Sequence, residues 1–127
     1  MKVGGVLMYE QDYIMRMIQN FIKFLSIIIF GKDTFTYELY EDEENEQNDI
    51  LHKKLVELIS QGEINEAENI LFEKFNPKNK RQMMVAIDFY QRLNDLDDTF
   101  LQDNNFSRVE IEEGLKDIAK KYGIVTS

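Results

Sequence analysis

The chain contains no cysteine and no tryptophan, and only one proline and one histidine among its 127 residues. Without thiols there is no disulfide and no thiolate metal site, and a reducing compartment, the cytoplasm, is the expected location. A lone histidine excludes a histidine metal cluster. One proline and six glycines leave few interruptions to helices. Excess basic charge is missing too: 15 Lys and Arg stand against 24 Asp and Glu, a net charge of −9. Nucleic acid and anionic lipid both select cationic surface, so neither is an expected partner. A chain of this length makes one domain and can bury a core without staples.

What remains is helical in composition, and the apolar spacing predicts an all-α bundle of about five helices: 9–30, 49–61, 65–75, 79–102 and 108–122. Residues 1–7 match no period. Met8 is a candidate start, with the first seven residues a disordered or non-native extension of a single domain over 8–127.

The segment DYIMRMIQNFIKFLSIIIF, residues 12–30, decides between classes of function. Its polar residues Asp12, Arg16, Gln19, Asn20, Lys23 and Ser26 draw one narrow stripe, and nearly everything else is apolar. Arg16 and Lys23 would each cost about 2.5–3.5 kcal/mol inside a bilayer, so a membrane span is not expected. A membrane-surface helix wants a broad cationic face, which this stripe lacks. The reading adopted is a core helix of a soluble protein, ended by Gly31, with part of its arc covered by a second copy of the chain. The candidate interaction surface is Phe21, Phe24 and Ile28.

Further along, the acidic run 41–49 reads as an exposed linker, and Phe35–Tyr40 (FTYELY) as a candidate β-bridge or hairpin. The next helix should end at Gly62, and the one after it should open at Asn65, with Glu68 completing a capping box. Lys78–Arg81 opens a third hydrophobic helix with cations that suit a solvated end, or a docking patch for the acidic linker. Ser107 with Glu110 forms a capping box, Phe106 with Ile111 a hydrophobic staple, and Gly123 a stop; Gly114, in mid-helix, suits a close helix contact.

No motif carries chemistry. His52 reads as an exposed helix residue. GKDT at Gly31–Thr34 lacks the upstream glycine and strand of a phosphate loop, and Asp33 stands where a hydroxyl would hold magnesium. In DLDDTFLQDNNF, residues 95–106, Phe100 and Phe106 occupy the glycine and bidentate-glutamate places of a calcium loop, so Asp97, Asp98 and Asp103 read as a solvated helix end. No carboxylate pair can be given acid and base roles.

QGEINEAENILFEKFNP, residues 61–77, resembles the tetratricopeptide repeat: Gly62, Ala67 and Pro77 fall in the repeat's order. Leu55 and Lys74 stand where that repeat wants small residues, Pro77 comes early, and no second copy follows at a period of about 34 residues. A single αα-hairpin is therefore expected. YEQDYIMRMI, FGKDT, INEAENILFE and LDDTFLQDNNFSRVEIEEGLKDIAKKYGI resemble an uncharacterised family of small helical proteins from Gram-positive bacteria, over about Met8 to Ile124. That resemblance implies an all-helical, cytoplasmic protein and no particular activity. The function expected is a non-enzymatic, self-associating protein–protein interaction module, with no catalytic, cofactor or metal residues. The alternative is a membrane-peripheral protein docking through helix 13–30, and an enzyme comes third.

Overall fold

The computed structural model describes residues 2–33, 37 and 43–124, with side chains from Gln11 in the first block and from Glu46 in the last. Among them are six helices: α1 (Lys2–Phe30), α2 (Glu43–Ser60), α3 (Ile64–Lys74), α4 (Lys80–Asp95), α5 (Asp98–Asp103) and α6 (Arg108–Tyr122). The fold is an all-helical bundle, as the spacing predicts. The FTYELY hairpin lies outside the described residues except for Tyr37.

The expected glycine stops are in place: Gly31, Gly62 and Gly123 have φ of 71, 80 and 108° and close α1, α2 and α6. At Gly62 the left-handed backbone lets the Glu63 amide reach back to the Leu58 carbonyl at 2.9 Å. The turn is so short that α2 and α3 must run antiparallel as a hairpin. The α6 capping box also forms. Ser107 Oγ accepts from the Glu110 amide at 3.2 Å, and Glu110 Oε2 accepts from the Ser107 amide at 2.7 Å.

Four local expectations fail, each because a longer-range contact takes over. The acidic run 41–49 is not a linker in its described part. α2 already begins at Glu43, Asn48 is buried, and Asp49 meets Arg81 at 3.6 Å. Arg81 itself is buried, so the first turn of α4 docks the end of the acidic run instead of lying solvated. The α3 cap is not Asn65. The helix starts one residue earlier, at the fully buried Ile64; the Asn65 side-chain Nδ2 donates to the Asn105 carbonyl at 3.3 Å, and Glu68 is engaged by Tyr90. The helix expected over 79–102 is two helices. Asp97 captures the Phe100 amide at 2.7 Å and starts α5, while the carbonyls of Asn94 and Leu96 turn to the Arg108 guanidinium.

The fourth concerns the centre of the bundle. α4, not α1, is enclosed: it packs against α1, α2 and α6 and buries Met83, Val85, Ala86, Ile87, Phe89, Tyr90 and Leu93. α1 lies against α4 and α6 through one face only, that of Ile18, Ile22, Leu25 and Ser26. Ser26, on the polar stripe by spacing, is buried instead; its hydroxyl is satisfied by donating to the Ile22 carbonyl at 2.8 Å, four residues back.

Candidate functional site

The outward face of α1 is the most exposed apolar surface described. Tyr13, Phe24, Ile27 and Ile28 are 59, 43, 49 and 54% exposed, and Met17 stands beside them. At 100° per residue, Tyr13, Met17, Phe24 and Ile28 fall on one line along the helix, with Ile27 at its edge. On one side lie the exposed Arg16, Gln19 and Lys23. On the other, an open groove of about 330 Å³ separates α1 from α6, lined by Met17, Phe21 and Phe24 and by Glu112, Leu115 and Lys116. Phe21 is half-buried there, stacked on Phe24 with centroids 5.9 Å apart. The three residues expected as an interaction surface thus lie on one edge: Phe24 and Ile28 open, Phe21 turned into the groove.

Tyr13, Met17, Glu112 and Lys116 were not foreseen as part of this surface. A helical projection of α1 alone would have found the first two, since they share the line of Phe24 and Ile28. The α6 residues depend on which helix packs beside α1, and sequence spacing is silent on that. The α1 and α6 helices run in the same direction. Both are antiparallel to α4: the Asn94 side chain donates to the Met15 carbonyl at 3.1 Å while Lys80 lies over Phe30, and Arg108 donates to the Asn94 carbonyl at 2.9 Å while Gly114 lies against Tyr90, so α6 begins level with the middle of α1.

A second cluster gathers groups that could do chemistry. His52 is not an exposed helix residue. Its Nε2 lies 2.6 Å from Asp88 Oδ2, and its ring stacks on Tyr37 at 3.9 Å and 4°. A carboxylate only accepts, so the shared proton sits on Nε2. Arg92 Nε donates to the same Asp88 oxygen at 2.6 Å. The Tyr37 hydroxyl donates to Asp49 at 2.5 Å, and the Arg81 guanidinium lies 5.2 Å from the Tyr37 ring centre. Burial alone would raise Asp88; the hydrogen bonds from His52 and Arg92 outweigh it and hold the carboxyl below its ordinary range. Burial and the Asp49 hydrogen bond push the Tyr37 phenol far above its ordinary value. Each group is committed to its neighbour. The cluster fastens Tyr37 to α2 and α4.

The acidic stretch after α4 is likewise structural. Asp97 caps α5, and Asp98 pairs with Arg108 at 2.8 Å. Among the described residues no group of three His, Cys, Asp or Glu converges as a metal site. The open groove between α1 and α4, about 430 Å³, mixes amides with Lys23, Asp33 and Asp95, a pattern that favours no one ligand charge.

Glu68 is a carboxylate held against its preference. Burial raises its pKa and the nearby Glu110, Asp117 and Glu113 add to this, against the 2.7 Å hydrogen bond it accepts from Tyr90. A raised folded pKa means that the fold favours the protonated acid. That contribution is full below the ordinary glutamate pKa and is lost as pH rises through the folded value. Glu68→Gln keeps an acceptor for Tyr90 and removes the charge. Its melting temperature at pH 7 should lie a few degrees above the parent's, with the gap closing as pH falls below the glutamate range. A lower melting temperature at pH 7 would show the charge to be stabilising.

A family profile matches residues 8–123, from within α1 to the cap of α6. The chain belongs to this family of unknown function, DUF6483. The match takes in both walls of the α1–α6 groove, so the surface is part of what DUF6483 covers here. No curated protein and no solved structure matches the chain.

Proposed function

We propose that the protein is a non-enzymatic helical interaction module of the cytoplasm that self-associates through α1. The observation that carries this reading is the line of exposed Tyr13, Met17, Phe24 and Ile28 beside an apolar groove. Contiguous apolar surface of this kind is characteristic of interfaces and is an aggregation liability when left bare. The driving force is burial of that surface. The α2–α3 hairpin, with fully buried Ala67 at its crossing, supports tetratricopeptide-like packing as the scaffold. Nucleic acid has no place in this reading, given the net charge of −9.

Membrane-peripheral docking through the same helix is the second reading. It is favoured by one observation: Gln11–Phe30 has a mean hydropathy of 1.4 and only 22% of it is buried. That stretch is long and apolar enough to cross a membrane by length and composition, a test that core helices also pass. The polar flank argues for protein instead, because Arg16 and Lys23 are offset by Asp12 and the bundle is acidic overall.

Sedimentation velocity on the unmodified protein should show a dimer, and flotation with anionic vesicles should leave it in the aqueous fraction. Phe24→Asp sets a charge in the buried seam and should weaken self-association about a hundredfold, on the order of 3 kcal/mol. Lys23→Asp, on the polar flank, should leave the dimer intact. A compact monomer, or comigration with vesicles, would refute the self-association reading.

A further inference from the structure

With Ile27 left at the edge, the four residues on the line of the exposed stripe read the same in both directions. Tyr13 to Met17 is four residues, Met17 to Phe24 is seven, and Phe24 to Ile28 is four again, with the midpoint between Asn20 and Phe21. A twofold interface must be self-complementary, each patch meeting its own copy reversed. From this spacing, and resting on the self-association proposed above, we infer that two copies pair their α1 helices antiparallel about a dyad at Asn20–Phe21. Tyr13 then lies opposite the partner's Ile28, and Met17 opposite the partner's Phe24.

Two features favour this pairing over a parallel one, and two more are compatible with it. The reversed register sets each aromatic ring against an aliphatic or thioether side chain, Tyr against Ile and Phe against Met, and sulfur–aromatic contact is favourable. A parallel register sets like on like, ring on ring at Tyr13 and Phe24. The groove flank is self-complementary in the same sense. Glu112 and Lys116 stand one turn apart on the α6 wall, 3.7 Å apart as an ion pair, and reversal brings the Glu112 end of one copy toward the Lys116 end of the other. On the opposite flank, Arg16 and Lys23 point roughly a quarter turn away from the stripe and stay in water. Asn20 sits beside the dyad, where an amide can hydrogen-bond its own copy. One polar residue in an apolar helical seam is the usual device that fixes register.

The absence of native cysteine makes the register directly measurable. Met17→Cys with Phe24→Cys in one chain should cross-link into a covalent dimer under mild oxidation. The two sites are about 10 Å apart within one helix, too far for a bond inside the chain. Each single variant should fail to cross-link, because each site is displaced by about 10 Å from its own copy. Tyr13→Cys with Ile28→Cys supplies an independent pair at the ends of the stripe, should the central substitutions loosen the dimer. Covalent dimer from both double variants and from neither single variant is the expected result. Cross-linking of single Met17→Cys or Phe24→Cys would overturn the antiparallel register while leaving self-association standing. Absence of cross-links together with monomeric sedimentation of the unmodified protein would overturn both.

Discussion

Gly114→Ala should destabilise the fold by about 2–3 kcal/mol, although alanine is the better helix former. Intrinsic propensity favours the substitution by ~1 kcal/mol in the interior of α6. The surroundings oppose it. A Cβ at position 114 would lie 2.4 Å from Glu68 Oε2, 2.4 Å from the Tyr90 hydroxyl and 2.8 Å from Tyr90 Cε1. The Glu68 carboxylate is the end of a flexible, partly buried side chain and can move aside. Tyr90 cannot. It is fully buried and meets Phe89 edge-on at 5.0 Å, so its ring has no room to swing. Overpacking of this kind costs roughly 1–3 kcal/mol, and loosening the Tyr90–Glu68 hydrogen bond adds about 1 kcal/mol. Together these exceed the propensity gain. For a chain of this size the melting temperature should fall by about 10 °C. Adding Tyr90→Phe removes the hydroxyl clash but not the ring-carbon one, so the alanine substitution should cost less in that background. A melting temperature of Gly114→Ala at or above the parent's would mean that α6 and α4 do not approach as closely as the structure has them.

That close approach was legible from the sequence only as a mid-helix glycine. Its partner, Tyr90, lay in the apolar spacing of α4 with no sign of which helix it faced. The same division runs through the molecule. The α6 capping box and the glycine stops are local devices, complete within a few residues, and they form where Ser107, Glu110, Gly31, Gly62 and Gly123 place them. The α3 cap at Asn65 and the single helix over 79–102 fail because their outcomes depend on distant groups. Glu68 is taken by Tyr90, 22 residues away, and the end of α4 by Arg108. His52 is the same case at 36 residues' separation from Asp88. Spacing reports which residues are apolar and how they repeat; it does not report which polar side chain will find a partner across the bundle.

The α1 surface was half legible for a related reason. Marking the polar residues of 12–30 finds a narrow stripe and leaves the remaining arc undivided. The structure divides that arc in two. Ile18, Ile22 and Leu25 face α4 and α6, while Tyr13, Met17, Phe24 and Ile28 face out. Both sets are apolar, so hydropathy alone cannot separate a core face from an interface. The separation follows from the bundle's construction. α4 takes the central position and has α1 on one side only, and a helix with apolar residues around most of its circumference is left with a face that the other described residues do not cover.

The largest loss expected from a polar substitution is at Arg108, a residue with no sequence signal beyond its place after a cap. It is only 2% exposed, and its guanidinium joins the ends of three helices. It donates to the Asn94 carbonyl at 2.9 Å and the Leu96 carbonyl at 2.7 Å, closing α4, and to Asp98 at 2.9 Å in the first turn of α5. The planar fork of arginine serves these acceptors together; lysine, a point charge, would not. Arg108→Met keeps the packing of the stem and removes every donor. Two carbonyls at the end of α4 then lose their partner, at ~1–3 kcal/mol each when buried. Asp98 is 55% exposed on its side chain and returns to water, so its ion pair adds little. The total is about 3–4 kcal/mol, a large share of the ~5–15 kcal/mol that holds a domain together. Urea denaturation should show the midpoint falling with the slope unchanged. Asp98→Asn should cost under ~1 kcal/mol in the same assay. If Asp98→Asn proved as damaging as Arg108→Met, the ion pair and not the capture of the α4 carbonyls would be what arginine contributes at this junction.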